Sequence, residues 1–262
     1  MPEADINKLD VEILIAAALE GGEKAKAHFG SKPRSWQKED ASPVSVADVE
    51  VDNFLRETLM GARPDYGWLS EETEDNTERL KCNRTFVVDP IDGTRAFLEG
   101  GTEWCLSLAV VQDGRPVVGV IYCPMREQLF VAIQGRGATL NGEPTSVSQK
   151  EETRGARVVA PGSFFNRDSV KGLELSKQPY LRSLAYRIVM VAAGELEASV
   201  TRSKAQDWDL AAADVILQES GGRVVSGDGS QLLYNKSAIK QPALIASSDR
   251  LVKKLQGIVE KN

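Results

Sequence analysis

The sequence predicts an α+β protein: an antiparallel N-terminal sheet with two helices packed on it, followed by a mixed α/β part. Three observations lead there. Residues 104–112 and 116–123 are β-rich runs that meet at Asp113-Gly114, a dipeptide that favours a tight hairpin turn. Residues 5–29 place Ile6, Leu9, Ile13, Leu14 and Ala17 at helical spacing. Beyond residue 155, short apolar strands alternate with helical stretches, the pattern of a mixed or parallel sheet. With 262 residues and 42% hydrophobic content the chain can bury a substantial core. The expected division is 1–150 and 151–262, two halves of one compact unit, with the polar stretch 151–155 between them.

The first helix takes Asp5 as its N-cap and stops before Gly30. Residues 36–38 are extended and give way to a turn over 40–43. Asp48 opens a second helix, whose Val51, Phe54, Leu55 and Leu59 share a face. Trp68-Leu69 is a short strand that delivers Ser70-Glu71-Glu72, and the polar stretch 73–83 reads as an exposed loop. Residues 85–88 form a buried strand, ended by Asp89-Pro90 because proline has no N–H for the ladder. Residues 128–133 and 138–140 continue the meander, with turns at Gly135-Arg136-Gly137 and Asn141-Gly142. In the second half, strands are expected at 157–160, 181–184 and 243–246. Helices are expected at 164–175, at 185–193, from Asp209, and from residue 247 or 248 to 259. The sequence shows no internal repeat.

A net charge of −6 excludes a protein that coats nucleic acid, which would carry a basic excess. It does not exclude an anionic substrate, since bound divalent cations reverse the local sign of an acidic site. Cys82, Cys105 and Cys123 form no paired spacing and suit reduced thiols in a cytoplasm; Cys105, between Trp104 and Leu106, reads as core. The one histidine, His28, leaves little for a zinc site or a histidine-based triad and reads as a solvated helix-end residue. No apolar run reaches spanning length, so no membrane partner is expected.

The chemistry centres on Asp89-Pro90-Ile91-Asp92-Gly93-Thr94. Two carboxylates share one tight turn, and a helix starting at Gly93-Thr94 would point free N–H groups at the same spot. That suits a metal ion carrying a phosphate; it equally suits an Asx-turn at a strand end. Two further stretches bear on the choice: Trp68-Leu69-Ser70-Glu71-Glu72, and Trp208-Asp209-Leu210-Ala211-Ala212-Ala213 closing on Gly221-Gly222. In this order, from about Lys38 to the C-terminus, the chain resembles the inositol monophosphatase family of magnesium-dependent phosphatases.

The resemblance implies a layered α/β sandwich of the inositol monophosphatase and sugar phosphatase type, with most metal ligands in the first half and Asp209 in the second. It implies two or three Mg2+ ions, with Mn2+ able to substitute. Glu71, Asp89 and the carbonyl of Ile91 would hold one ion; Asp89, Asp92 and Asp209 would hold another. All are hard oxygen donors, as magnesium prefers. Asp48 and Thr94 would orient the attacking water, with Glu71 the third catalytic residue and Glu72 in support. The family's threonine before this helix is here Ser45, and Lys38 stands where a lysine is common, although a solvated charge fits it as well. Taken alone, Asp48 is also a good first-turn acid, and Asp209 a good helix cap. Asp92, Gly93, Thr94, Arg202 and Asp209 are the substrate-binding candidates.

Inositol phosphate leads as the substrate, and Trp104-Cys105-Leu106-Ser107-Leu108 resembles the corresponding strand of bacterial inositol monophosphatases. Arg202 and Lys204 stand where that group carries a carboxylate, and they suit a second phosphate, as in the 3′(2′),5′-bisphosphate nucleotidase branch. Thr94-Arg95-Ala96-Phe97 resembles the histidinol-phosphatase branch. A non-catalytic interaction module is the contrasting reading. Lithium sensitivity, a homodimer and a cytoplasmic location also follow from the resemblance.

Overall fold

The computed structural model describes residues 3–39 and 42–259. Helix α1 (Glu3–His28) begins two residues before Asp5, which lies in its first turn. A hairpin of β1 (Ser35–Gln37) and β2 (Pro43–Ser45) follows, and residues 40 and 41 of the expected turn fall outside the described residues. Helix α2 (Val46–Ala62) is capped by Ser45. Next come β3 (Gly67–Ser70), β4 (Arg84–Asp92), the short helix α3 (Thr94–Glu99), β5 (Cys105–Gln112), β6 (Arg115–Cys123), β7 (Gln128–Ile133), β8 (Ala138–Leu140) and β9 (Glu143–Pro144). The second half runs β10 (Arg157–Val159), α4 (Gly162–Phe165), α5 (Asp168–Lys171), β11 (Ser176–Lys177), α6 (Leu184–Ala192), β12 (Ala198–Thr201), α7 (Asp207–Glu219), β13 (Gly222–Ser226), β14 (Leu244–Ser248) and α8 (Asp249–Val259).

Strands β3 to β9 form a seven-stranded sheet in sequence order. It is an antiparallel meander from β4 onward, turned at Asp113-Gly114, where both residues have positive φ. At its edge β3 pairs parallel to β4, which places the residues after both strand ends side by side. The second sheet has the order β11-β10-β12-β14-β13 and is mixed, parallel across the first three strands and antiparallel across the last three.

Alternation along the strands decides the layering. Phe86, Val88, Leu106, Leu108, Val110, Val118 and Val120 face α1 and α2. Val87, Ala109, Val111 and Ile121 face α6 and α7, which also pack on the second sheet. Val225 and Ile245 turn to the far side of that sheet, against Leu251 and Leu255 of α8. The result is a five-layer α/β/α/β/α sandwich. Both faces of β4 are covered, so all nine of its residues are buried.

Helix α7 comes close enough to β6 that a Cβ at Gly119 would lie 2.5 Å from Val215 Cγ1 and 2.6 Å from the Ala212 carbonyl oxygen. A bulky side chain there must push away the helix that carries Asp209. Gly119→Val is expected to cost about 1–3 kcal/mol or more. Urea unfolding measures it, and an unchanged midpoint would contradict the close approach.

Three local expectations are corrected. Residues 164–175 do not form one helix; α4 and α5 are single turns separated by Asn166-Arg167. Residues 181–184 are not a strand: Ser183 takes the N-cap of α6 and accepts from the Tyr186 N–H. The polar stretch 73–83 is not simply an exposed loop. It holds a 3₁₀ turn, residues 77–81, whose Arg79 is 1% exposed and bonded to Asp75, Asn235 and the Lys236 carbonyl. His28 does end α1, with Nε2 2.9 Å from Glu50 Oε2.

Candidate active site

Proline interrupts the β4–β5 ladder between Asp89 and Asp92, and the register shifts there. Asp89 Oδ1 accepts the N–H of Ile91 at 3.1 Å, so the Asx-turn exists. Asp89 Oδ2 is buried and has no hydrogen-bond partner. One oxygen of Asp89 thus shapes the loop, and the other is left over.

Glu71 follows the end of the parallel strand β3, and its N–H donates to the Val88 carbonyl. Asp209 sits in the first turn of α7, where Oδ2 accepts the Gln206 N–H at 2.8 Å. Carboxylate oxygens of Glu71, Asp89 and Asp209 lie within 4.8 Å of one another. Burial and mutual repulsion push Asp89 and Asp209 well above the usual carboxylate range. Asp92 joins from the side. Its Oδ2 is tied to the Ser183 hydroxyl and the Ala185 N–H, each at 2.6 Å. Burial raises Asp92 to about 6 despite those bonds.

Three mutually repelling carboxylates around an unpartnered buried oxygen fit a hard divalent cation. Lys38 closes the outer edge, with Nζ 3.0 Å from Glu71 Oε1 and 2.8 Å from Glu72 Oε1, so it is not merely solvated. Burial lifts Glu72 to about 7, opposed by the Lys38 hydrogen bond and reinforced by Glu71.

Asp48 is 1% exposed and held by its own helix cap: the N–H and hydroxyl of Ser45 donate to Oδ2 at 2.8 and 2.6 Å. Burial still raises it above the usual range. The Thr94 hydroxyl lies 2.9 Å from Asp48 Oδ1 and 3.1 Å from the Ile91 carbonyl oxygen. Its single proton can serve only one of them at a time. Gly93 has φ +96° and lies so close to Glu103 and Ser183 that a Cβ would be 3.0 Å from the Glu103 carbonyl oxygen. No other residue type fits that turn without strain.

Glu71, Asp92, Gly93, Thr94 and Asp209 line an open cleft of about 510 Å3. A second cavity of about 480 Å3 shares Tyr180 and Asp209 with it and is also lined by Arg202 and Lys204. Arg202 is thus beside the cleft and not among the carboxylates; it donates to the Ser163 hydroxyl at 2.8 Å.

Residues 7–260 match the model of the inositol monophosphatase family. The chain belongs to that family. Its members are phosphatases, so the chain is a phosphoric monoester hydrolase, and the family is magnesium-dependent, in keeping with the acidic cluster. The chain is 31% identical over 250 residues to a histidinol-phosphatase of Mycobacterium tuberculosis, covering 90% of this chain and 94% of that one. It is 29% identical over 232 residues to the 3′(2′),5′-bisphosphate nucleotidase CysQ of Aggregatibacter actinomycetemcomitans, covering 85% and 86%. Its fold superposes on the extragenic suppressor protein SuhB of Bartonella henselae with a TM-score of 0.84 at 27% identity, covering 96% and 98% of the two chains. The layered α/β sandwich is therefore that of the family. No helix among the described residues is long and apolar enough to cross a membrane.

Several residues that shape the candidate site are not evident in the sequence. Ser183 and the Ala185 N–H position Asp92. Asp52 accepts from the hydroxyls of Ser70 and Thr73, which flank Glu71. Ser183 carried a signal, a serine directly before the apolar run of α6, that the strand expectation obscured. Asp52 carried none beyond its helical spacing from Asp48.

Proposed function

We infer that this phosphatase hydrolyses a small phosphate monoester whose alcohol carries a further anionic group, the substrate class of a 3′(2′),5′-bisphosphate nucleotidase. The observation that supports it is the pair Arg202 and Lys204, which line the same cavity as Asp209. Two cations in a cavity that adjoins the acidic cleft favour a second phosphate over sugar hydroxyls. Inositol phosphate, placed first by the sequence, is the competing reading, favoured by the resemblance of the strand around Cys105.

Glu71, Asp89, the Ile91 carbonyl, Asp92 and Asp209 would hold Mg2+, in two or three positions. When bound, the cations neutralise phosphate charge and acidify water. The residues of the chain do the rest. Asp48, fixed by Ser45, keeps an oxygen beside the Thr94 hydroxyl, and the pair orients the attacking water and takes up its proton. Gly93 and Thr94 bring backbone N–H groups to the phosphate side of the cleft. Lithium sensitivity and a homodimer belong to this reading as well.

Phosphate release in Mg2+ from inositol 1-phosphate, adenosine 3′,5′-bisphosphate and histidinol phosphate tests it. The bisphosphate is expected to give the highest kcat/KM, and Arg202→Ala to lower that value about tenfold while changing inositol 1-phosphate less than twofold. A preference for inositol 1-phosphate that ignores Arg202→Ala would return the lead to that ester.

A further inference from the structure

Tyr180 stands between β11 and α6, on the wall shared by the catalytic cleft and the Arg202 cavity. It is 54% exposed, unusual for a large ring beside a catalytic centre. The guanidinium of Arg187 lies 4.7 Å from its ring centroid. Arg187 is itself only 3% exposed; its Nε donates to the Ser183 carbonyl at 3.3 Å, and its Nη1 is buried without a hydrogen-bond partner. A guanidinium that gives up a hydrogen bond in order to lie under a ring fixes the position of that ring. The same Ser183 holds Asp92 through its hydroxyl, so the ring and the acidic centre hang on one residue.

An exposed aromatic face beside the cleft stacks more strongly on a planar π system than on a cyclitol, which can bring only its C–H bonds to the ring. We propose that the Tyr180 ring, backed by Arg187, is a stacking platform for the heterocycle of the leaving alcohol, a nucleobase. The proposal rests on the phosphomonoesterase reading but not on a second phosphate. It makes Tyr180 a residue that selects the substrate by its ring, while Arg202 selects by charge.

Four esters separate the two. Adenosine 3′,5′-bisphosphate has ring and second phosphate, adenosine 3′-monophosphate the ring alone, methyl ribofuranoside 3,5-bisphosphate the second phosphate alone, and inositol 1-phosphate neither. Tyr180→Ala is expected to lower kcat/KM about five- to a hundredfold on both adenosine esters, chiefly through KM, with the ringless esters within about twofold. Tyr180→Phe should keep wild-type values, since the ring and not the hydroxyl is used. If Arg202→Ala has no selective effect on the bisphosphates while Tyr180→Ala still separates ring from no ring, the second-phosphate reading falls and the platform stands. An equal loss on all four esters would make Tyr180 a part of the general scaffold. No loss on the adenosine esters, or no turnover of either by the wild type, would equally overturn the platform.

Discussion

Asp89→Asn is expected to reduce magnesium-dependent phosphate release by a thousandfold or more while raising the melting temperature of the metal-free protein. The two effects have one cause. Asp89 lies between Glu71 and Asp209 with a buried oxygen that no hydrogen bond meets. Without a cation, ionising it costs desolvation and repulsion together. The amide keeps the Oδ1 acceptor for the Ile91 N–H and puts N–H donors where the carboxylate repelled its neighbours. A few degrees of stabilisation should follow. Wild-type protein should gain about 2.7 kcal/mol when Mg2+ stands at 100 times its dissociation constant. The variant should lose most of that gain. Calorimetry with and without Mg2+, beside an activity assay, reads all three quantities. Retained turnover, or a lower melting temperature in the metal-free variant, would mean that Asp89 is not at the centre of a cation site.

Thr94→Val should separate proton handling from cation binding. Valine keeps the shape of threonine but takes the hydroxyl away from Asp48 Oδ1 and the Ile91 carbonyl. Loss of a positioned proton acceptor and donor typically costs about 10²- to 10⁴-fold in kcat. The carboxylate oxygens of Glu71, Asp89 and Asp209 are untouched, so the stabilisation by Mg2+ should match that of the wild type. A kcat within threefold of wild type would remove Thr94 from the reaction. Loss of the Mg2+ effect would instead make it part of the cation site.

The sequence by itself determined the elements whose cause is local. Asp113-Gly114 sets its hairpin because two consecutive positive φ values suit little else. Pro90 interrupts the β4 ladder, which resumes at Asp92 instead of ending at residue 88, and the helical spacing in α2 specifies a buried face at Val51, Leu55 and Leu59. The face expected for α1 is not the buried one: Leu9 is exposed, Ile6 and Ile13 are half-buried, and Asn7, Asp10 and Val11 turn inward beside Leu14 and Ala17. The candidate metal ligands were legible only through the resemblance that three separate motifs, in order, bear to the family.

What the tertiary structure alone decided is what joins distant segments. Leu181 and Leu184 look like strand residues, yet Ser183 between them caps α6 because its hydroxyl can reach Asp92, 91 residues earlier in the chain. Arg79 looks like an exposed charge, yet it is buried because Asn235 and the Lys236 carbonyl come to meet it from the other half. Strand β12, Ala198–Thr201, is too short to stand out in the sequence; it is a strand because β10 and β14 supply hydrogen-bond partners on both sides. Tyr180 and Arg187 acquire a role only where the two cavities meet. Local backbone preference can specify a turn or a helix face, but a side chain's partners, and hence the charge and shape of a site, are set by packing between layers that the order of residues does not display.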